Sequence, residues 1–116
     1  MRGKPTPRRG DVWLVALGPA VGHEIQKTRP TVIVTNDLYN RQNWVVLVVP
    51  LTSHDAAEYD QVLVQPPEGG LKNPSVTLPD QMRAIDRSRL VKRLGRLRPD
   101  TMVQLNRSLK IVLDLS

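Results

Sequence analysis

The 116-residue sequence predicts a mostly β domain, a small and strongly bent antiparallel barrel, followed by one C-terminal helix. Three observations carry that prediction. Short β-branched runs recur along the chain, Gly and Pro cluster between them, and apolar residues take helical spacing only near the end. The length suits one modest core, so we read a basic tail over residues 1–8 and a single domain over 9–116.

The tail carries Arg2, Lys4, Arg8 and Arg9 without an acid and is broken by Pro5 and Pro7, a composition expected to be disordered in isolation. Gly10 to Leu17 reads as the first strand and ends in Gly18-Pro19; Pro30 to Thr35, β-branched almost throughout, reads as the second. Asn36 to Asn43 is a polar connection with a helical turn. Trp44 to Val49 is apolar at every position, which predicts a central strand buried on both faces and closed by Pro50, since proline cannot donate to a ladder. Gln61 to Gln65 alternates weakly, and Pro66 to Gly70 and Lys72 to Pro74 are turns. Ser75 to Leu78 and Gln81 to Ile85 are two short strands or one bent one, Asp86 to Arg89 a single helical turn, and Leu90-Val91 with Leu94 to Leu97 a final strand pair. The helix opens at Pro99, where a missing N–H costs nothing, and Asp100 complements its positive end. Met102, Leu105, Leu109 and Val112 form its apolar stripe, and the additional Ile111, Leu113 and Leu115 suggest contact with a second subunit.

Composition excludes several chemistries. There is no cysteine, which removes disulfides, thiolate metal sites and a cysteine nucleophile, and only 2 histidines, too few for a protein-bound zinc site. No metal or cofactor is therefore expected. No apolar run approaches the ~18 residues of a membrane span, so we expect a cytoplasmic protein without membrane association. The 17 Lys and Arg against 11 Asp and Glu leave a net charge of +6. Seven of these cations (Arg83, Arg87, Arg89, Lys92, Arg93, Arg96, Arg98) fall in one stretch that contains only Asp86 as an acid. Such a cluster suits a polyanion or an acidic partner, and equally a solvated face.

Four ionisable side chains crowd into the loop Gly22-His23-Glu24-Ile25-Gln26-Lys27-Thr28-Arg29-Pro30. Together with Gly10-Asp11-Val12-Trp13, Pro50-Leu51-Thr52-Ser53 and Asp80-Gln81, it resembles the MazF/PemK/Kid family of toxin endoribonucleases, whose G-D-V/I-W, G-x-E-x-x-x-x-R-P and P-x-T-S motifs appear here in order. The resemblance runs from about Arg9 to the C-terminus. It implies an SH3-like barrel of the CcdB/PemK type and a homodimer. It also implies cleavage of single-stranded mRNA without metal, and a MazE-like antitoxin partner with an acidic, disordered tail. DNA would be bound only indirectly, through the antitoxin.

If RNA is the substrate, the neighbouring 2′-hydroxyl attacks phosphorus, and the site must take its proton, stabilise charge on the phosphoryl oxygens and protonate the leaving 5′-oxygen. Arg29 suits the second task because a guanidinium keeps its charge and clasps two oxygens, although an arginine beside Pro30 could as well pair with Glu24 or Asp80. Thr52 occupies the family's second catalytic position and offers a hydroxyl. Glu24 and His23 compete for the base: an imidazole matches neutral pH, while a carboxylate beside a guanidinium is a weaker base. Family members that use an aspartate at the position of Asp80 carry an arginine two residues earlier, where this chain has Leu78. Lys27, Asn40, Ser53, Asp80, Gln81, Arg83 and Arg87 are the candidate RNA contacts, the cations for phosphates and the amides for base edges. Trp13 and Trp44 are expected in the core. Two other readings keep the fold: a CcdB-like gyrase poison, against which the Leu113-Asp114-Leu115-Ser116 terminus speaks, and a non-catalytic nucleic-acid-binding barrel.

Overall fold

The computed structural model describes residues 5–19, 21–24 and 27–116. The basic residues Arg2 and Lys4, and Ile25 and Gln26 of the charged loop, lie outside the described residues. The described residues form seven strands and two α-helices. The strands are β1 (Asp11–Ala16), β2 (Thr28–Ile33), β3 (Val45–Ser53), β4 (Leu63–Val64), β5 (Ser75–Thr77), β6 (Arg83–Asp86) and β7 (Leu90–Arg96). Helix α1 spans Asp37–Gln42 and α2 spans Pro99–Leu113. All pairings are antiparallel, in the order β4-β5-β3-β2-β1-β7, with β6 also on β3. The sheet is a curled half-barrel capped by the C-terminal helix, as expected from the sequence.

Two features curl it. The β1–β7 ladder slips at Val12/Trp13 and again at Leu14/Val15, and each bulge adds local twist. Strand β3 changes partner along its length: Val45 to Val48 pair with β6, and Leu51 to Ser53 pair with β5. Pro50 sits at the changeover and does not end the strand as expected. Its missing N–H falls where β6 stops and β5 starts, and its carbonyl accepts from the Leu78 N–H at 2.9 Å.

The apolar residues divide into two clusters on opposite faces. Trp13, Val15, Leu17, Ile33, Val46, Val48, Ile85 and Leu90 fill one. Val12, Val32, Val49, Leu51, Val62, Val64, Leu71 and Leu97 meet Leu105 of α2 in the other. The expectation of a β3 buried on both faces is corrected. Val46 and Val48 are fully buried, but Val45 and Leu47 are exposed, because the core cluster on their face takes in β3 only at Val49 and Leu51. Trp44 precedes the strand and is 67% exposed, not core; Trp13, at 1%, is. The stretch 90–97 is likewise one strand, not a pair. Lys92 and Arg93 interrupt its apolar pattern because β7 lies at the sheet edge, and Arg93 reaches back to Asp11.

The expected arginine cluster is largely tied into the fold. Asp11, 1% exposed, pairs with Arg93 Nε at 3.3 Å and Arg96 Nη1 at 3.1 Å, and accepts from the Arg8 N–H and the Trp13 indole. Glu68 accepts from the Arg98 N–H at the start of α2 and pairs with its guanidinium at 3.1 Å. Pro7 is buried, so packing begins before Arg9.

Helix α1 starts on Asn36, whose side chain accepts from the Tyr39 N–H. Beside it, the Arg9 N–H donates to Asp37 at 2.7 Å and holds that carboxyl below its usual range, a shift that partial burial opposes and the Asn40 amide reinforces. A carboxyl depressed in the folded state contributes stability that is present above its unfolded pKa and lost as pH falls through the folded one. We therefore expect the urea midpoint of the native chain to fall more steeply below about pH 4 than that of Asp37→Asn; parallel acid limbs would contradict this assignment.

Candidate active site

The register between β2 and β3 aligns the principal pair. Thr31 opposes Pro50 and Val32 opposes Val49. The same register, continued toward the start of β2, sets Arg29 across from Thr52 and points both to one face. The side chains meet there, Arg29 Nη1 donating to Thr52 Oγ1 at 3.5 Å, and both are half-buried. Placement at the ends of two central strands gives the pair a rigid base.

The loop from β1 to β2 is closed at its root. Leu17 N–H donates to Lys27 O at 3.0 Å, and Lys27 N–H to Gly18 O at 3.2 Å. Lys27 takes a φ of 72°, a left-handed conformation that is strained for a lysine. Arg83 Nη1 donates to Leu17 O at 3.2 Å and Arg89 Nη1 to Ala16 O at 3.0 Å, so two arginines hold the root from the β6–β7 side. Within the loop, Val21 N–H donates to Glu24 Oε1 at 2.9 Å and Glu24 N–H to Val21 O at 3.2 Å, a turn that leaves His23 exposed.

Glu24 then lines a polar cleft of about 410 Å³ together with Pro19, Asp80, Gln81, Met82 and Arg83. Asp80 and Gln81 reach it from the turn after β5, which the bond from Leu78 N–H to Pro50 O ties two residues from Thr52. The fold thus assembles two adjoining groups, Arg29 with Thr52 and Glu24 with Asp80, Gln81 and Arg83. Lys27 and Ser53 flank them, both exposed.

Two expected RNA contacts stand elsewhere. Asn40 is fully buried in α1, and its amide donates to Thr35 O at 2.9 Å, so it anchors the helix and presents no edge to a base. Arg87 donates to Asn40 O at 3.2 Å and Asn43 O at 3.4 Å, at the opposite end of β3 from Thr52. Their polar side chains read as nucleic-acid contacts in sequence because the carbonyls they serve leave no sequence signal. Conversely, His54 was not singled out. It follows Ser53 at the end of β3 with its side chain 60% exposed, and its Nδ1 accepts from the Ala56 N–H at 3.1 Å, leaving Nε2 as a donor. Its position two residues after Thr52 was the available signal.

Chemically, the Arg29–Thr52 pair offers a permanent charge and a hydroxyl to one anion. The neighbouring carboxylates offer a proton acceptor. Among the described residues, no group of three or more His, Cys, Asp or Glu side chains is placed to hold a metal ion.

Comparison with known proteins identifies the family. Residues 8–113 match the profile of the PemK-like, MazF-like toxins of type II toxin–antitoxin systems. The chain is 39% identical over 114 residues to endoribonuclease MazF9 of Mycobacterium tuberculosis, covering 93% of this chain and 97% of that protein. It is 40% identical over 105 residues to endoribonuclease PemK of Escherichia coli, covering 89% of this chain and 78% of that one. Among solved structures, a mycobacterial endoribonuclease in complex with its cognate antitoxin superposes with a TM-score of 0.79 at 27% identity, covering 95% of this chain and 97% of that chain. MazF of Deinococcus radiodurans shares the fold with a TM-score of 0.82 at 24% identity, covering 96% and 99%. The chain belongs to the PemK-like, MazF-like endoribonuclease toxins of type II toxin–antitoxin systems.

Proposed function

We propose that this toxin cleaves single-stranded RNA at short sequence motifs by attack of the 2′-hydroxyl on the adjacent phosphorus, without a metal ion. The observation that carries the reading is the meeting of Arg29 and Thr52 at 3.5 Å beside the cleft lined by Glu24 and Asp80. The guanidinium binds the non-bridging oxygens and offsets their growing charge, and the threonine hydroxyl adds a donor. Glu24 or His23, on the same loop, takes the proton from the 2′-hydroxyl. The products are a 2′,3′-cyclic phosphate and a 5′-hydroxyl; DNA has no 2′-hydroxyl and does not react. Lys27, Ser53 and Gln81 border the path of the strand. Arg83 acts first on the loop root, through Leu17 O.

The functional unit is the single domain over residues 9–116, and the buried Pro7 and the bond from the Arg8 N–H to Asp11 carry its packing into the end of the basic segment read over residues 1–8. The exposed Val45, Leu47, Ile111 and Leu113 support a homodimer. Sedimentation as a monomer at micromolar concentration would contradict that assignment. The net charge of +6 supports an antitoxin with an acidic segment that covers Arg29 and Thr52. No helix among the described residues is long and apolar enough to cross a membrane, and action on mRNA would place the protein in the cytoplasm.

The test is incubation of the purified toxin in EDTA with a long unstructured RNA and the matching DNA, followed by mapping of the ends. RNA cut at one recurring motif with 5′-hydroxyl ends is the expected result. An intact RNA would favour the gyrase-poison or silent-binder alternatives.

A further inference from the structure

A second cleft opens around the end of the same strand pair. Successive residues of a strand face opposite sides. Arg29 and Thr52 therefore face one side, and their chain neighbours Pro30 and Ser53 face the other. There Pro30 and Ser53 border a cleft of about 330 Å³ with Leu71, Lys72, Asn73 and Leu94. Its floor is apolar, since Leu71 is 6% exposed and Leu94 packs against the same core cluster. Its rim is polar. Lys72, Asn73 and Ser53 are exposed, and among the described residues no ion pair or side-chain hydrogen bond engages the Lys72 ammonium, the Asn73 carboxamide or the Ser53 hydroxyl.

The wall is also well fixed. Ser75 Oγ donates to Asn73 O at 3.0 Å. The Gly69-Gly70 turn lies so close to β7 that a Cβ on Gly95 would come within 2.6 Å of the Gly69 carbonyl carbon. β3 ends at Ser53 and β2 begins at Thr28, each one residue beyond Thr52 and Arg29, so the two faces come together close to the end of this strand pair.

We infer that this cleft binds the nucleotide next to the scissile bond, with the RNA bending over the end of β2 and β3. The scissile phosphate lies at Arg29 and Thr52. The neighbouring base lies on the Pro30, Leu71 and Leu94 floor, with its edge at Asn73 and Ser53 and its phosphate at Lys72. A flat apolar surface takes a base face, a carboxamide supplies both donor and acceptor to an unpaired edge, and a lysine binds phosphate as a point charge. One cation beside two uncharged donor–acceptor groups fits a nucleotide better than an acidic peptide, which would need several cations. The inference rests on the endoribonuclease reading and adds to it a subsite that sets sequence preference.

The test uses native toxin, Lys72→Ala and Asn73→Ala on one RNA containing the mapped motif, and on a series shortened by single nucleotides from either end. Each variant should lose roughly fivefold to tenfold in kcat/KM on the long RNA, carried mainly by KM. That deficit should shrink to within about twofold once the flanking nucleotide on one particular side is removed. Asn73→Ala should also accept other bases at that one position. Both side chains are exposed, so unchanged melting temperatures are expected and are measured alongside. Equal activity of all three proteins on every RNA would overturn the inference, as would a deficit that persists through all truncations. So would unimpaired cleavage combined with weaker inhibition by an acidic peptide, which would give the cleft to an antitoxin. Failure of the native toxin to cut any RNA is a different result, and it removes the endoribonuclease reading itself.

Discussion

Arg29→Ala should lower the rate of RNA cleavage by about 10² to 10³, equivalent to about 2.7–4 kcal/mol of barrier, and should leave the fold intact. The size follows from what is removed. A guanidinium at the start of β2 is already aimed at the Thr52 hydroxyl, so the charge it offers the phosphoryl oxygens requires no reorganisation when the reaction begins. Growth of charge on those oxygens makes the contact stronger in the transition state than in the bound substrate, so kcat falls more than KM rises. Arg29→Lys should recover only part of the loss, since a point charge cannot bridge two oxygens as a planar fork does. The side chain lies on the half-buried end of a strand, outside both core clusters, so circular dichroism and melting should change little. Single-turnover cleavage by Arg29→Ala within threefold of the native rate would remove Arg29 from the chemistry.

Gly70→Ala destabilises the domain by about 2–5 kcal/mol, lowering the melting temperature by about 10–20 °C. Two costs add. Gly70 has a φ of 71°, where a Cβ costs about 1–2 kcal/mol, and that Cβ would overlap the Leu94 carbonyl oxygen, a backbone atom of β7 that no rotamer can move, costing about 1–3 kcal/mol more. Gly22→Ala is the control. It has a comparable φ of 60° but nothing within 4 Å of an added Cβ, so only the first cost applies. Equal destabilisation by the two substitutions would show that the contact with β7 contributes nothing. Because Gly70 also lines the cleft beside Ser53, Gly70→Ala should disturb RNA recognition even below its melting temperature.

The elements most legible in the sequence were those set by local pattern. The strand expected over Pro30 to Thr35 formed two residues earlier, as Thr28–Ile33, while the stripe Met102, Leu105, Leu109 and Val112 and the turn after Asn36 formed where their pattern placed them. What escaped was decided by partners distant in the chain. Val45 and Leu47 are as apolar as Val46 and Val48, and what separates exposed from buried is the face: Val46 and Val48 point into the cluster of Trp13 and Ile33, whereas the cluster on the other face takes in β3 only at Val49 and Leu51. The arginines between 83 and 98 looked like a free basic surface because Asp11 and Glu68, which tie down Arg93, Arg96 and Arg98, lie far upstream. The same holds at the candidate site. Arg29 and Thr52 were recognisable from their motifs, but a register beginning at Thr31 and Pro50 is what aligns them. Asn40 was chosen for its amide, and burial in α1 removed it.

The most direct test of the account takes one RNA cut at a mapped position and replaces the single nucleotide 5′ of that bond by its 2′-deoxy form. Attack by the 2′-hydroxyl at the Arg29–Thr52 pair predicts that cleavage there disappears, while a second copy of the motif in the same molecule is cut at its usual rate and ends in a 2′,3′-cyclic phosphate. Continued cleavage at the deoxy position, by water or by an enzyme nucleophile, would contradict the mechanism.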